Sequence, residues 1–300
     1  MKVRADAIPL EEPLAGGTTG ASVVVEPIEA GTMASPDGFF EHEGGFRGRL
    51  GALGTGASRG SEERVPVPSF LIRHPGVGPI LVDTGLHPSV ASDPRHNMGR
   101  SAAPYFELEE GHDLTSQLRA RGVGPGDVTA VILTHLHLDN ASAISEFPES
   151  IFVVSADEWR EAAERPKLRH GYRTQHYDHA FDYVTVDFDS DPIESYGPFG
   201  RTFDLFGDGS VRLAFTPGHS AGHMSVICRL PRRDFVVCGD AAYTWQEFEG
   251  GSEPHHVQDR HNWQRSVKEM RAYRESYPYA LIVPGHDPAF WPKLDASYEQ

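Results

Sequence analysis

The apolar run Val131, Ile132, Leu133 opens directly onto Thr134-His135-Leu136-His137-Leu138-Asp139-Asn140, and no other stretch restricts the fold as much. Two histidines at i and i+2 lie on opposite sides of a helix but on one side of an extended chain. A loop leaving the end of a strand therefore aims both imidazoles at one ion, and Asp139 adds an oxygen from the same turn. A His-x-His pair also arises by chance, so its weight depends on distant partners.

Such partners follow downstream. Thr216-Pro217-Gly218-His219-Ser220-Ala221-Gly222-His223 comes first, then Cys238-Gly239-Asp240, then Val283-Pro284-Gly285-His286-Asp287. Each trails a short apolar run, Val211 to Phe215, Phe235 to Val237 and Ala280 to Val283, that reads as a strand. His219, Asp240 and His286 are thereby expected on strand-end loops, and loops that share one rim converge.

This series resembles the metallo-β-lactamase superfamily, whose signature is H-x-H-x-D-H followed by separated His, Asp and His ligands. Across roughly residues 65 to 290 the chain is similar to the N-acyl-homoserine lactonase branch. Phe70-Leu71-Ile72-Arg73 and Ile80-Leu81-Val82-Asp83-Thr84-Gly85 look like its paired opening strands and V-D-T-G turn, and Asp240-Ala241-Ala242-Tyr243 like its D-A-x-Y element. The resemblance implies an αββα sandwich, where periodicity alone reaches only an α/β class. It also implies a first metal site of His135, His137 and His219, and a second of Asp139 and His286, with Asp240 bridging the two. Where the signature has its last histidine, this chain has Asn140, whose neutral amide oxygen is a weak zinc ligand beside an imidazole. One tightly bound zinc ion is expected, together with a weakened second site.

Three histidines and an open position form a catalytic zinc set, which lowers the pKa of a bound water to roughly 7. The expected reaction is attack of that hydroxide on a lactone or ester carbonyl, with acyl-homoserine lactones as the leading substrate class. By the resemblance, Tyr243 lies over the substrate carbonyl and stabilises the oxyanion. Asp139 holds the water and returns its proton to the leaving alkoxide. A packed core tyrosine is the alternative for Tyr243. For the whole chain, the alternatives are a catalytically weakened metal- and ligand-binding protein, or a hydrolase of thioesters or β-lactams. Asp83 and His223 are expected to support the ligand loops rather than bind metal.

Charge and composition narrow the partners. The chain carries 43 acidic against 27 basic residues, a net charge of -16, which disfavours nucleic acid and anionic membranes. No run approaches the roughly 20 apolar residues of a membrane span, and Met1 to Gly20 lacks a signal-peptide core, so a cytoplasmic enzyme acting on a small, partly apolar molecule is expected. Cys228 and Cys238 read as buried free thiols, with proximity of Cys238 to the metals left open.

The 300 residues read as a partly irregular N-terminal arm, 1–64, and one hydrolase domain, 65–300. Within the arm, Val23 to Val25 can form an edge strand. Phe39, Phe40 and Phe46 can fold over the body or pack on a second subunit, which leaves a homodimer open. A helix is expected from Asp113, with Leu114 and Leu118 on one face and Gly122 as its stop. Strand Val128 to Thr134 delivers the metal loop, and strand Ile151 to Val154 follows it. Helix Ala156 to Glu164 should bury Trp159 and Ala163 and turn its carboxylates to water, and a last helix should run from about Arg260 to Ser276. Between the helices, His170, Tyr172, His176, Tyr177, His179, Phe181 and Tyr183 read either as a pocket wall or as solvated loop residues. His255, His256 and His261 read as surface residues.

Overall fold

The computed structural model describes residues 3–35, 63–164, 170–250, 253–254 and 257–300. Its central strands are apolar on both faces, because both faces are covered. Ile80, Val82, Ile132 and Val153 point into a core shared with Val211, Leu213, Val226 and Phe235. The alternate residues Leu81, Val131 and Val154 point the other way, against Leu114, Leu118 and Ala162. On the far side, Ala214, Ile227 and Val236 meet Trp263, Val267 and Met270. Period-two alternation thus builds two sheets back to back with a helical layer outside each, the αββα sandwich that the motifs imply.

Strands β1 (Ala7–Pro9), β2 (Val24–Ser35), β3 (Glu63–His74), β4 (Gly78–Val82), β5 (Phe106–Glu107), β6 (Ala130–Ile132), β7 (Ile151–Ser155) and β8 (Asp182–Val186) form the first sheet, in the order β1-β8-β7-β6-β4-β3-β2-β5. The second holds β9 (Glu194–Tyr196), β10 (Phe199–Asp204), β11 (Val211–Phe215), β12 (Met224–Arg229), β13 (Asp234–Val237) and β14 (Leu281–Val283), in the order β14-β13-β12-β11-β10-β9. The segment Val24–Ser35, inside the expected arm, pairs antiparallel with β3 along most of its length. Phe39, Phe40, Phe46, His255 and His256 lie outside the described residues.

The helices are α1 (Pro94–Met98), α2 (Leu114–Ala120), α3 (Leu138–Ala141), α4 (Ala156–Glu164), α5 (Trp245–Glu249) and α6 (Arg260–Ser276). Asp113 caps α2 by accepting from Ser116 N–H, and Asp259 caps α6 by accepting from Asn262 N–H. No helix among the described residues is long and apolar enough to cross a membrane. Strand β6 is shorter than expected at both ends. At its exit the Asp83 carboxylate takes both the N–H and the hydroxyl of Thr134, which pulls the chain off the ladder and into the metal loop.

Two expectations about side chains need correction. In α4 the buried residues are Glu158 and Ala162, with Trp159 and Ala163 only partly buried, so one of its carboxylates faces inward rather than toward water. Tyr172, Tyr177 and Tyr183 are buried in the outer core of the first sheet, where Tyr183 packs on Trp159 at 4.7 Å between ring centroids. These three tyrosines are thus core residues. Cys228 and Cys238 are free and buried, as expected. They sit on opposite faces of the second sheet, Cys228 between the sheets and Cys238 against the α6 layer. Cys238 therefore turns away from the sandwich interior.

Candidate metal centre

The loops after β6, β11, β13 and β14 meet at one end of the sandwich. His135, His137 and His219 converge with Asp240, and Asp139, Asp240 and His286 form a second group. In the first, His219 Nε2 lies 2.9 Å from His137 Nδ1 and 3.1 Å from His135 Nε2. Asp240 Oδ2 is 3.3 Å from His219 Nε2 and 3.6 Å from His135 Nε2. Its other oxygen, Oδ1, is 3.1 Å from His286 Nε2, which is itself 3.5 Å from Asp139 Oδ2. One carboxylate thus addresses both groups, one oxygen to each.

The tautomers follow from the outer contacts. Thr134 hydroxyl donates to Asp83 and is left to accept from His135 Nδ1–H at 3.0 Å. His286 Nδ1–H donates to the Pro66 carbonyl, which can only accept. In both rings Nε2 is then the nitrogen aimed inward. His286 Nε2 is buried and makes no hydrogen bond although two carboxylates face it. A lone pair pointed at anions is repulsive unless a proton or a metal ion stands between them. The donor set therefore fits a divalent cation: neutral imidazoles and carboxylates, oriented by partners on their far side.

Electrostatics agree. Burial holds His135 and His219 well below the usual imidazole range and pushes His137 down to about 4, so these rings are neutral and ligand-ready. Burial also raises Asp139, to about 6, against the opposing pull of His286. For Asp240 desolvation is outweighed by His286, His219 and His135, which hold it well below the usual carboxylate range. Burial works against the charged form of His286, yet Asp240 and then Asp139 lift it to about 9.

A buried polar frame holds the loops. Asp83, in the left-handed region at φ 57, accepts from Thr134 N–H, Thr134 hydroxyl and Asn140 Nδ2. Burial raises its carboxyl to about 7. His223 Nε2 accepts from Asp240 N–H, and its Nδ1 pairs with Thr216 hydroxyl. A Cβ on Gly239, at φ 56, would lie 2.6 Å from that Nε2, so only glycine leaves room for the bond. Asp83 and His223 thus fill the supporting roles expected of them.

Sequence reasoning missed Glu158. Its carboxylate accepts from Leu136 N–H and Tyr172 hydroxyl on one oxygen, and from Ser220 hydroxyl and Gly222 N–H on the other. Leu136 lies between two ligand histidines, and Ser220 follows a third. Tyr172 in turn packs its ring 4.9 Å from that of His137. One buried anion thereby ties the β6 loop to the β11 loop. Periodicity did carry a signal, since position 158 falls on the buried face of α4 with Ala162, four residues on.

Tyr243 is buried, and its hydroxyl lies 2.7 Å from His219 Nδ1. Its ring stands 5.5 Å from that of His219 and 5.8 Å from that of His286, so the phenol spans both groups. Glu247, raised by burial to about 8, accepts from Tyr243 N–H and fixes that turn.

Two measurements test this arrangement. Glu158→Gln keeps size but faces an amide N–H₂ toward existing donors. It should weaken zinc binding by about 10- to 100-fold in chelator competition, and unchanged affinity would remove Glu158 from the frame. The second concerns chelator-stripped protein. The His286 pKa is raised above its ordinary value near 6.5, so its contribution is full below pH 6.5 and is lost as pH rises through about 9. Glu247 acts with the same sign up to about pH 8. Melting temperature should therefore fall between pH 6.5 and 9 without metal and fall less with zinc present, whereas a flat metal-free profile would contradict the assignment.

Comparison with known proteins agrees with this geometry. The chain is 34% identical over 237 residues to the N-acyl homoserine lactonase AttM of Rhizobium radiobacter, covering 77% of this chain and 86% of that protein. It is 29% identical over 236 residues to the N-acyl homoserine lactonase AiiB of Agrobacterium fabrum, covering 74% and 80%. Among solved structures, an N-acyl homoserine lactone hydrolase with N-hexanoyl-L-homoserine bound at its catalytic metal centre superposes with a TM-score of 0.72 at 21% identity, over 94% of this chain and 98% of that one. Residues 63–286 match the metallo-beta-lactamase superfamily, and the chain is accordingly a member of that superfamily, a metal-dependent hydrolase by descent and by its converging histidines and carboxylates.

Proposed function

We infer that the protein opens lactones by hydrolysis, with N-acyl homoserine lactones as the leading substrate class and zinc as the resident ion of the three-imidazole group. The observation that carries this reading is the Tyr243 phenol standing across both donor groups. The lactonase names of the relatives support it.

His135, His137 and His219 would hold the zinc, which would supply Lewis acidity and lower the pKa of water to roughly 7. The chain's own residues do the rest. Asp139, with its carboxyl near 6, takes a proton from the attacking water at neutral pH and returns it to the leaving alkoxide. Tyr243 accepts from His219 Nδ1–H and donates its own O–H toward the carbonyl oxygen as that atom gains charge. Asp240 keeps the two groups in register through its two oxygens. The buried surroundings strengthen each of these interactions by excluding water.

Across γ-lactones, acyl-homoserine lactones, aryl esters and thioesters, turnover should be best for lactones, and His135→Ala should abolish it together with the bound metal. Absence of turnover by the parent and by Asn140→His alike would favour a ligand-binding role. Tyr243→Phe should lower kcat roughly ten- to a thousand-fold at saturating zinc, and loss of the partner of His219 Nδ1 should also loosen zinc. A destabilised variant that keeps the parent kcat would make Tyr243 a packing residue and return thioesters to contention.

A further inference from the structure

Asn140 stands where the signature of the superfamily has a histidine, and its surroundings give its two amide atoms different tasks. The residue is buried, 3% exposed, in the first turn of α3 beside Asp139. Its backbone carbonyl accepts from both the N–H and the hydroxyl of Thr84, so the turn is fixed. Asp83 already accepts from Thr134, and the amide atom 3.0 Å from Asp83 Oδ2 is accordingly the nitrogen, Nδ2. That leaves Oδ1 on the other arm of the amide, buried and without a hydrogen-bond donor. Buried amide oxygens are rarely left so. In the second donor group His286 Nε2 faces the carboxylates of Asp240 and Asp139, whereas Asn140 Oδ1 has no donor.

We propose that Asn140 Oδ1 joins Asp139, Asp240 and His286 as a donor, making the second group an oxygen-rich site that takes a hard divalent cation such as manganese beside the zinc of the three-imidazole group. Carboxylate and carbonyl oxygens suit manganese, whereas imidazoles suit zinc. The first group offers three imidazoles and one carboxylate oxygen. The second offers one imidazole, two carboxylates and an amide oxygen. Zinc binds most nitrogen and oxygen sites more tightly than manganese, so the division arises because the first group draws zinc first and the second discriminates less. The amide also keeps the support that a histidine at this position would need, since Nδ2 donates to Asp83 as a ring N–H would. This inference rests on the metallohydrolase reading of the first group.

The test uses the full chain, stripped by chelator and reloaded with one equivalent of zinc and an excess of manganese, then desalted. Metal content is read by elemental analysis and manganese coordination by electron paramagnetic resonance. The expected result is close to one zinc and one bound manganese per chain. Asn140→Ala should keep its zinc and weaken manganese binding by roughly 10- to 100-fold. Asn140→His should fill its second site with zinc when a further equivalent is added, while the parent retains more of its manganese. Zinc without bound manganese in the parent, or manganese binding unaltered by Asn140→Ala in a folded variant, overturns the proposal. Failure to bind zinc at all would instead remove the reading of the first group, so the two failures are distinguishable.

Discussion

Six ligand-type side chains stand within a few ångströms of one another at one end of the sandwich, nearly all of them withdrawn from water. Bringing unpaired lone pairs and carboxylates together in a dry site is unfavourable unless a cation compensates. Without an ion, part of that demand falls on His286, whose ring Asp240 and Asp139 lift to about 9. Thr134 and the Pro66 carbonyl occupy the outer nitrogens of His135 and His286, so the inner nitrogens remain available. The fold does not adapt to the ion after the fact; its hydrogen bonds set the donors in advance.

The frame behind the donors is itself built of buried acids. Asp83 reaches the loop after β6 and the amide of Asn140, Glu158 joins the loops after β6 and β11, and Glu247 holds the turn of Tyr243. Each accepts several donors, which offsets the cost of burying a carboxylate. These acids are as buried as the ligand-type carboxylates Asp139 and Asp240.

Much of this was legible in the chain. Helices Ala156–Glu164 and Arg260–Ser276 lie where the sequence placed them, although the buried face of the first differs. The ligand loops were announced by histidine and aspartate at strand ends, since strand-end placement is a local property. The burial of Glu158 had only a periodic signal, Ala162 four residues on, because an acid on a short helix ordinarily faces solvent and its four donors come from residues distant in sequence. The fate of Tyr172, Tyr177 and Tyr183 was hidden for the same reason: nothing local distinguishes a tyrosine that closes a core from one that lines a cleft. For β6, hydrophobicity ran past the strand end, which was set instead by the Asp83 side chain reaching in from another turn. The place of Tyr243 over both donor groups depends on the meeting of β11, β13 and β14, a tertiary fact.

The site straddles the seam of the sandwich. His135, His137 and Asp139 leave the first sheet after β6, whereas His219, Asp240 and His286 leave the second after β11, β13 and β14. Bound metal would therefore act as a rivet between two slabs that otherwise meet through a shared apolar core and a few polar ties such as those from Ser220 and Gly222 to Glu158. Metal affinity becomes a gauge of how the slabs are aligned. A conservative change deep in the shared core, far from any ligand, can shift that alignment by a fraction of an ångström and register as loosened metal before it registers as lost fold. Drift in the core is thus filtered by chemistry at the rim, and the interior packing of such a protein is held to a tighter tolerance than its stability alone would require.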